Sequence, residues 1–488
     1  MSRKNKVSPG YSLSDLSLGI LGFVFVFGLF SWISKGFILT YISGLILVVV
    51  LHQLMKHRQI SYLYKLPIFL FVIMGLVQRV FFLIADPDGY AFDFTRSLTD
   101  KVLAGTLSYA AYILFILWCF LGLHGYFKKG KAPLLQVLEP AKSTKLLMVS
   151  TGYYFISIFI TAYLGIFHNV AMQGGESSPL GYLTRIFDIE QAPLIVIFLY
   201  AYCRDILSKR QRNLVVLLII CSVMYTVFRG SRSAILIVVF VSWFAVVAIN
   251  PIFLIQKKHL VMACVILVGI GFPLFFIALS FRGLHLNQQS FDLASMIQEL
   301  SFFDMFNQVS ARLGELDTFS AVLFQLQLHD YTEYATLTGT LDGTIKGLLP
   351  SFLYTQTTYS IDQVFPYIFR GIPLDSPHGE HWTGPGMFIA YFGVYLAPFC
   401  MALFMFFCIN MGDNISKYFK NSQIGYIMRA NFSYSFFFPI ISTGAFSFML
   451  PGVIRFAIIL WILGITSRLF IPSLKRKSVN GYNGLLFK

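Results

Sequence analysis

Polar residues are scarce along this chain and fall in clusters, separated by apolar runs of similar length. A run of about 17–25 apolar residues is long enough to cross the hydrocarbon of a bilayer as a helix. On that criterion the pattern predicts spans at Ser17–Ile33, Phe37–Leu54, Pro67–Ile84, Gly105–Tyr126, Leu146–Phe167, Ala192–Cys203, Leu214–Phe228, Ala234–Ile249, Leu260–Ser280, Pro385–Ile409, Phe432–Phe448 and Pro451–Ile471. Bare backbone polar groups are not tolerated in lipid, so helices are the economical form for such spans. The short alternating segments of a β-barrel are missing from the pattern. The expected fold is an all-α polytopic membrane protein with about 12 transmembrane helices and one long, partly helical outer loop.

Composition agrees with the pattern. Of 488 residues, 57% are hydrophobic and only 12% charged, whereas a soluble domain carries about twice that charge fraction. A water-facing surface cannot be built from so few charges, which excludes an ordinary soluble enzyme, a disordered chain and a disulfide-rich secreted domain. The charges also orient the chain. With the N-terminus in the cytoplasm, 25 of the 37 Lys and Arg fall on inner segments, beside only four acids: Asp15, Glu139, Asp205 and Asp413. That bias is the positive-inside signature, so the net charge of +15 reports topology and not a nucleic-acid footprint. The Ser2–Lys6 cluster and the apolar run after it lack a small-residue cleavage site, and are expected to be a retained anchor.

The expected organisation is residues 1–281 as transmembrane helices 1–9, residues 282–384 as a large outer loop, and residues 385–488 as helices 10–12 with a cytoplasmic tail. A connection of about 103 residues is functional or disordered, and this one is too rich in Phe, Leu and Tyr to be disordered. Phe291–Leu326 has helix-like apolar spacing, which predicts helices packed on the outer mouth of the bundle or lying in the interface. The Pro/Gly/Tyr-rich stretch from Pro350 to Gly386 reads as an ordered, non-helical lid.

The most informative polar cluster is Phe228-Arg-Gly-Ser-Arg-Ser233, which interrupts the 36 residues of Leu214–Ile249. Two full crossings need about 40 residues and a turn, so Arg229 and Arg232 belong at the outer edge of the hydrocarbon. An Arg at the centre of a span costs roughly 2.5–3.5 kcal/mol on insertion scales, and less near the rim. Two guanidinium groups three residues apart repel each other and call for an anion. Their forks match phosphate oxygens bidentately, and the Gly-Ser turn offers free backbone N–H groups. Either a diphosphate ligand or lipid headgroup phosphates would meet that need. Arg282 and Arg312 are further outer arginines; Arg312 either faces the ligand or pairs with Glu315 at i,i+3. Arg79 and Arg455 lie inside spans close to the outer side, where they either hold a buried polar network or contact the ligand.

Candidate proton acceptors are His378 and His381 in Asp375-Ser-Pro-His-Gly-Glu-His-Trp382, together with Glu315 and Asp317. A hydroxyl nucleophile needs an acceptor whose pKa lies near working pH, while lid packing or a salt bridge within the folded loop would explain the same residues. Asp86-Pro-Asp88 either holds a divalent cation or forms a Pro-Asp-Gly turn; the turn suffices, and no metal is assigned. No Walker loop, nucleophile elbow or dinucleotide fingerprint is present.

With its many spans, its Arg-Gly-Ser-Arg turn, a long outer loop containing Arg312-x-x-Glu315, and the element Gly384-Pro-Gly-Met-Phe-Ile-Ala-Tyr-Phe-Gly393, the chain resembles Wzy-type oligosaccharide repeat-unit (O-antigen) polymerases. That family is related to the O-antigen ligases and other GT-C-like membrane glycosyltransferases. The resemblance implies an inverting glycosyltransferase of the bacterial cytoplasmic (inner) membrane. It would join undecaprenyl-diphosphate-linked oligosaccharides into surface polysaccharide, without a cofactor, on the outer face. Arg229, Arg232 and Arg312 would correspond to the family's loop arginines. A chain-length regulator and a flippase are the implied protein partners, and membrane lipid is the surroundings. The chain departs from the family pattern in offering His378-Gly-Glu-His381 in place of one clear base. A ligase-like transferase is the nearest alternative, and a lipid-linked oligosaccharide flippase or transporter the next. Transporters usually carry internal repeats with polar groups near the midplane; here the polar density sits at the outer rim.

Overall fold

Helix ends in this protein are closed by side chains borrowed from neighbouring helices. A computed structural model of the chain describes residues 11–57, 60–85, 99–127, 141–163, 209–228, 316–325, 336–349 and 383–418, nearly all of 429–444, and scattered positions between 353 and 373 and between 450 and 465. These residues are helical throughout their longer stretches. Helix α1 runs Leu13–Ser31 and α2 Ile38–Lys56. Helix α3, Tyr62–Leu70, continues through a π-helical turn, Phe71–Val77, into α4, Gln78–Ala85. Then come α5 (Asp100–Phe127), α6 (Ala141–Tyr163), α7 (Lys209–Phe228), α8 (Leu316–Gln325), α9 (Leu337–Leu348), α10 (Gly384–Tyr418) and, after a second π-helical turn at Ser433–Phe437, α11 (Phe438–Ser442).

Five of these stretches are long and apolar enough to cross a bilayer: Leu13–Lys35, Ile38–Lys56, Tyr62–Ala85, Asp100–His124 and Gly384–Gly412. The chain is therefore an α-helical, multi-pass membrane protein. The five match spans expected from the sequence, with shifted ends. Pro67 does not open its helix as expected; the helix begins at Tyr62, and Pro67 sits inside it. The expected span Phe432–Phe448 is not one continuous helix, because α11 ends at Ser442 and Gly444 takes a left-handed φ of 71°. The expected spans Ala192–Cys203, Ala234–Ile249 and Leu260–Ser280 lie outside the described residues.

Two rims can be traced. At the first, Ser12 opens α1 with a capping box: its side chain accepts from the Asp15 amide, and Asp15 accepts from the Ser12 amide at 2.8 Å. Nearby, Lys65 Nζ donates to the Met55 carbonyl, 2.5 Å away, closing the last turn of α2. At the opposite rim, Lys35 Nζ donates to the carbonyl of Ile84 at 2.7 Å. There too the Asp100 carboxylate accepts from the amides of Leu39 (2.9 Å) and Thr40 (2.7 Å) and from the Thr40 hydroxyl. Asp100 thereby caps α2 from outside, since Phe37 has no capping side chain and the first amides of a helix lack intrahelical partners.

Small residues bring the helices together, as expected where lipid removes the hydrophobic drive for association. A Cβ added at Gly44 would fall 2.8 Å from the buried Trp32 ring, and one at Gly28 2.9 Å from Tyr41. Helices α5 and α10 run side by side in the same direction, with Tyr112 meeting Phe399 and Phe120 meeting Phe406. Gly393 (φ 72°, ψ 166°) breaks α10 into two helical segments.

Candidate functional site

Helix α8, which falls in the stretch expected from the sequence to be the outer loop, is almost wholly interior. Leu316, Asp317, Phe319, Ser320, Ala321 and Val322 are all buried. The helix carries its polar side chains inward as well as its apolar ones, so the bundle must supply partners. It does so from α4 and α5. Arg79 Nε donates to Asp317 Oδ1 at 2.9 Å, and Arg79 Nη2 to Oδ2 at 2.7 Å. This is a bidentate fork, the geometry that guanidinium and carboxylate planes favour. The two side chains are 0% and 2% exposed, and 238 residues of sequence separate them.

One turn further along α8, the Ser320 and Thr106 hydroxyls are 2.9 Å apart. Thr106 donates its own proton to the Val102 carbonyl, so Ser320 is the donor between them. The Phe324 ring lies over Gly105, where a Cβ would come within 2.7 Å, and Phe319 meets Tyr109 edge-on at 5.9 Å. Arg79 is six residues before Ala85 and Thr106 six after Asp100. At 1.5 Å per residue both stand about 9 Å along the helix axes from the Lys35–Asp100 rim. The loop helix is thus inserted into the bundle at that rim, deeper than the mouth or interface position expected from the sequence.

A second interior junction adjoins it. Thr383 is fully buried with φ 68°, and its hydroxyl accepts from the Gly386 amide at 3.1 Å, capping the start of α10. Added Cβ atoms at Gly384 and Gly444 would fall 2.4 Å from the carbonyl oxygens of Ile441 and Thr383 respectively. Two glycines thus let the start of α10 and the end of α11 interlock. The opposed ends of their dipoles meet there, which is favourable. Gly386 lies against Val322 of α8, so the inserted loop helix and this junction form one continuous interior.

Helix α9 is tied to the same interior. Asp342 accepts from the amide and hydroxyl of Thr358 at 2.6 and 2.8 Å, and the Thr340 hydroxyl bonds to that of Tyr391.

Among the residues singled out from the sequence, Asp317 is placed as one half of a salt bridge and Arg79 as the other, in a buried polar network. Arg229, Arg232, Arg282, Arg312, Glu315, His378 and His381 lie outside the described residues, as do Asp86, Asp88 and Arg455. Thr106, Tyr109, Ser320, Thr340 and Asp342 are not marked out by any motif in the sequence. Isolated polar residues inside otherwise apolar helices were the available signal, although each of those residue types is common.

Family models, curated proteins and solved structures alike give no match to this chain.

Proposed function

We propose that the protein is an integral-membrane glycosyltransferase. In this reading it polymerises undecaprenyl-diphosphate-linked oligosaccharide repeat units into surface polysaccharide, at the outer face of the bacterial cytoplasmic membrane. The observation that carries the reading is the capture of the long loop by the bundle. The Arg79–Asp317 fork, buried on both sides, anchors α8 about 9 Å inside the rim. Arg312 and Glu315 immediately precede that helix in the chain. A loop moored this way is held on the rim side of the bundle, the side on which a membrane-held diphosphate has to be met.

The chemistry follows from the residue types. Arg229 and Arg232, with Arg282 and Arg312, grip the two phosphates and stabilise the charge that develops as the diphosphate leaves. The polyprenyl diphosphate is already an activated donor, so no nucleotide is hydrolysed. The terminal hydroxyl of a second lipid-linked unit loses its proton to His378, His381 or Glu315 and displaces the diphosphate with inversion at the anomeric carbon. Asp317, both of whose oxygens are held by Arg79, serves as the mooring in this scheme.

Purified protein incubated with lipid-linked repeat units provides the test. A ladder of chain lengths on a gel supports polymerisation. A single transfer onto a lipid A core acceptor would make it a ligase, and unchanged substrate moved across vesicles would make it a transporter.

A further inference from the structure

Helix α9 has its polarity reversed. In a helix packed on a water-soluble body the apolar stripe faces in and the polar face faces out. Here Gly339, Thr340, Asp342 and Thr344 are the buried residues. Leu337, Leu341, Ile345 and Leu349 are the large exposed side chains, at 62%, 49%, 40% and 39%, with the small Thr338 exposed beside Leu337. The large ones recur every four residues and so form one slanting ridge along the helix. The inward polar side chains have partners: Asp342 holds Thr358, Thr340 holds Tyr391, and Thr344 donates to the Thr340 carbonyl at 2.7 Å. Such a helix is stable only where the medium outside it is apolar.

The position of α9 identifies that medium. Tyr391 belongs to α10, a candidate membrane span, and beside it begins that span's own exposed face of Phe392, Tyr395, Leu396, Phe399 and Leu403. Through the Thr340–Tyr391 contact the ridge of α9 continues the apolar exterior of a membrane-crossing helix. We propose that α9 is a lipid-embedded helix of the long loop, its Leu337–Leu349 ridge immersed in the acyl chains of the leaflet that surrounds α10. At about 18 Å its 12 residues are too short to cross, so it ends within the leaflet.

The test uses the full chain reconstituted in phosphatidylcholine vesicles, with a nitroxide amino acid encoded genetically at position 341 or 345 so that the native cysteines stay untouched. Position 403 on α10 serves as the lipid reference. Oxygen concentrates in acyl chains, and a polar nickel chelate stays in water. Oxygen collisions should exceed nickel collisions at 341 and 345 by the ratio found at 403. Nickel collisions in excess would show a water-facing ridge, and protection from both reagents would show a ridge covered by protein; either result overturns the proposal. Replacing Lys346, which lies off the ridge, with the same label checks that labelling within α9 leaves the fold intact.

Discussion

The hydroxyl of Tyr109 donates to the carbonyl oxygen of Val394 across 2.6 Å, and Val394 is the residue whose carbonyl Pro398 leaves without a helical donor. Proline has no amide hydrogen, so inside a helix it strands the carbonyl four residues before it. In lipid that carbonyl has no water to turn to. The same arrangement recurs across the molecule. Pro67 strands the carbonyl of Leu63, and the Ser433 hydroxyl donates to it at 2.5 Å. In each case a hydroxyl on one helix answers a proline on another, so two stranded carbonyls are satisfied by interhelical hydrogen bonds.

This relationship predicts non-additive stability. Tyr109→Phe should destabilise the protein by about 1–3 kcal/mol, the cost of leaving a buried acceptor unsatisfied. In a Pro398→Ala background, where an amide can serve Val394, the same change should cost much less. Thermal unfolding of the four proteins in detergent measures the coupling. Equal losses in both backgrounds would show that the stranded Val394 carbonyl is not what the hydroxyl serves.

The Arg79–Asp317 pair predicts a steeper loss. Removing one partner of a buried ion pair leaves an uncompensated charge, which costs about 3–5 kcal/mol. Asp317→Asn and Arg79→Gln should each approach that loss. The double variant should lose less than the sum, by a coupling of about 0.5–3 kcal/mol. Polymer formation should fall with the single changes, because α8 is then free to leave the bundle. Limited proteolysis near Gln325, accelerated in the single variants and slowed again in the double variant, reports that release independently of activity.

Five apolar spans were legible in the sequence because length and hydropathy decide the matter in lipid. Their ends were less so. Leu13, Tyr62 and Asp100 begin helices four to five residues ahead of the apolar runs, since polar first turns are tolerated once Ser12 caps α1 and Lys65 reaches the carbonyl of Met55. The insertion of α8 was not legible. Its apolar spacing predicts a helix, yet only Arg79, 238 residues away, decides that the helix lies inside the bundle and not upon it. The reversed polarity of α9 was hidden for a related reason. Gly, Thr and Asp read as a solvent face until Thr358 and Tyr391 are seen to receive them.

The interlock between α10 and α11 predicts that two glycines are irreplaceable while a third is not. A Cβ at Gly384 or Gly444 meets a backbone carbonyl oxygen at 2.4 Å, which cannot move without displacing a helix end. Gly444 carries in addition the left-handed φ of 71°, worth roughly 1–2 kcal/mol against any residue with a Cβ. Gly384→Ala and Gly444→Ala should therefore each destabilise by about 1–3 kcal/mol or more. Gly22 of α1 has no atom within 4 Å of its added Cβ, and Gly22→Ala should be neutral or stabilising by up to about 1 kcal/mol. Melting temperatures in one detergent would rank the three. An Ala at position 384 that leaves the melting temperature unchanged would mean that the helix ends stand further apart than the structure has them.

The proposed chemistry makes its sharpest demand on Arg229 and Arg232. Lysine keeps the charge but loses the planar fork that holds two phosphate oxygens at once. A hydrogen bond to a charged group contributes about 1.5–3 kcal/mol, so Arg229→Lys and Arg232→Lys should each slow polymerisation by about ten- to a hundredfold, with membrane insertion and melting temperature unchanged. If both residues only held lipid headgroups, lysine would serve nearly as well, and the chain-length ladder would look normal. Varying the donor concentration separates binding from transition-state stabilisation. Loss confined to kcat identifies arginines that act on the departing diphosphate, and loss confined to KM identifies arginines that hold substrate and transition state alike. Preorganised donors aimed at a leaving group act on charge that develops only as the bond breaks, so the expected loss falls mainly on kcat.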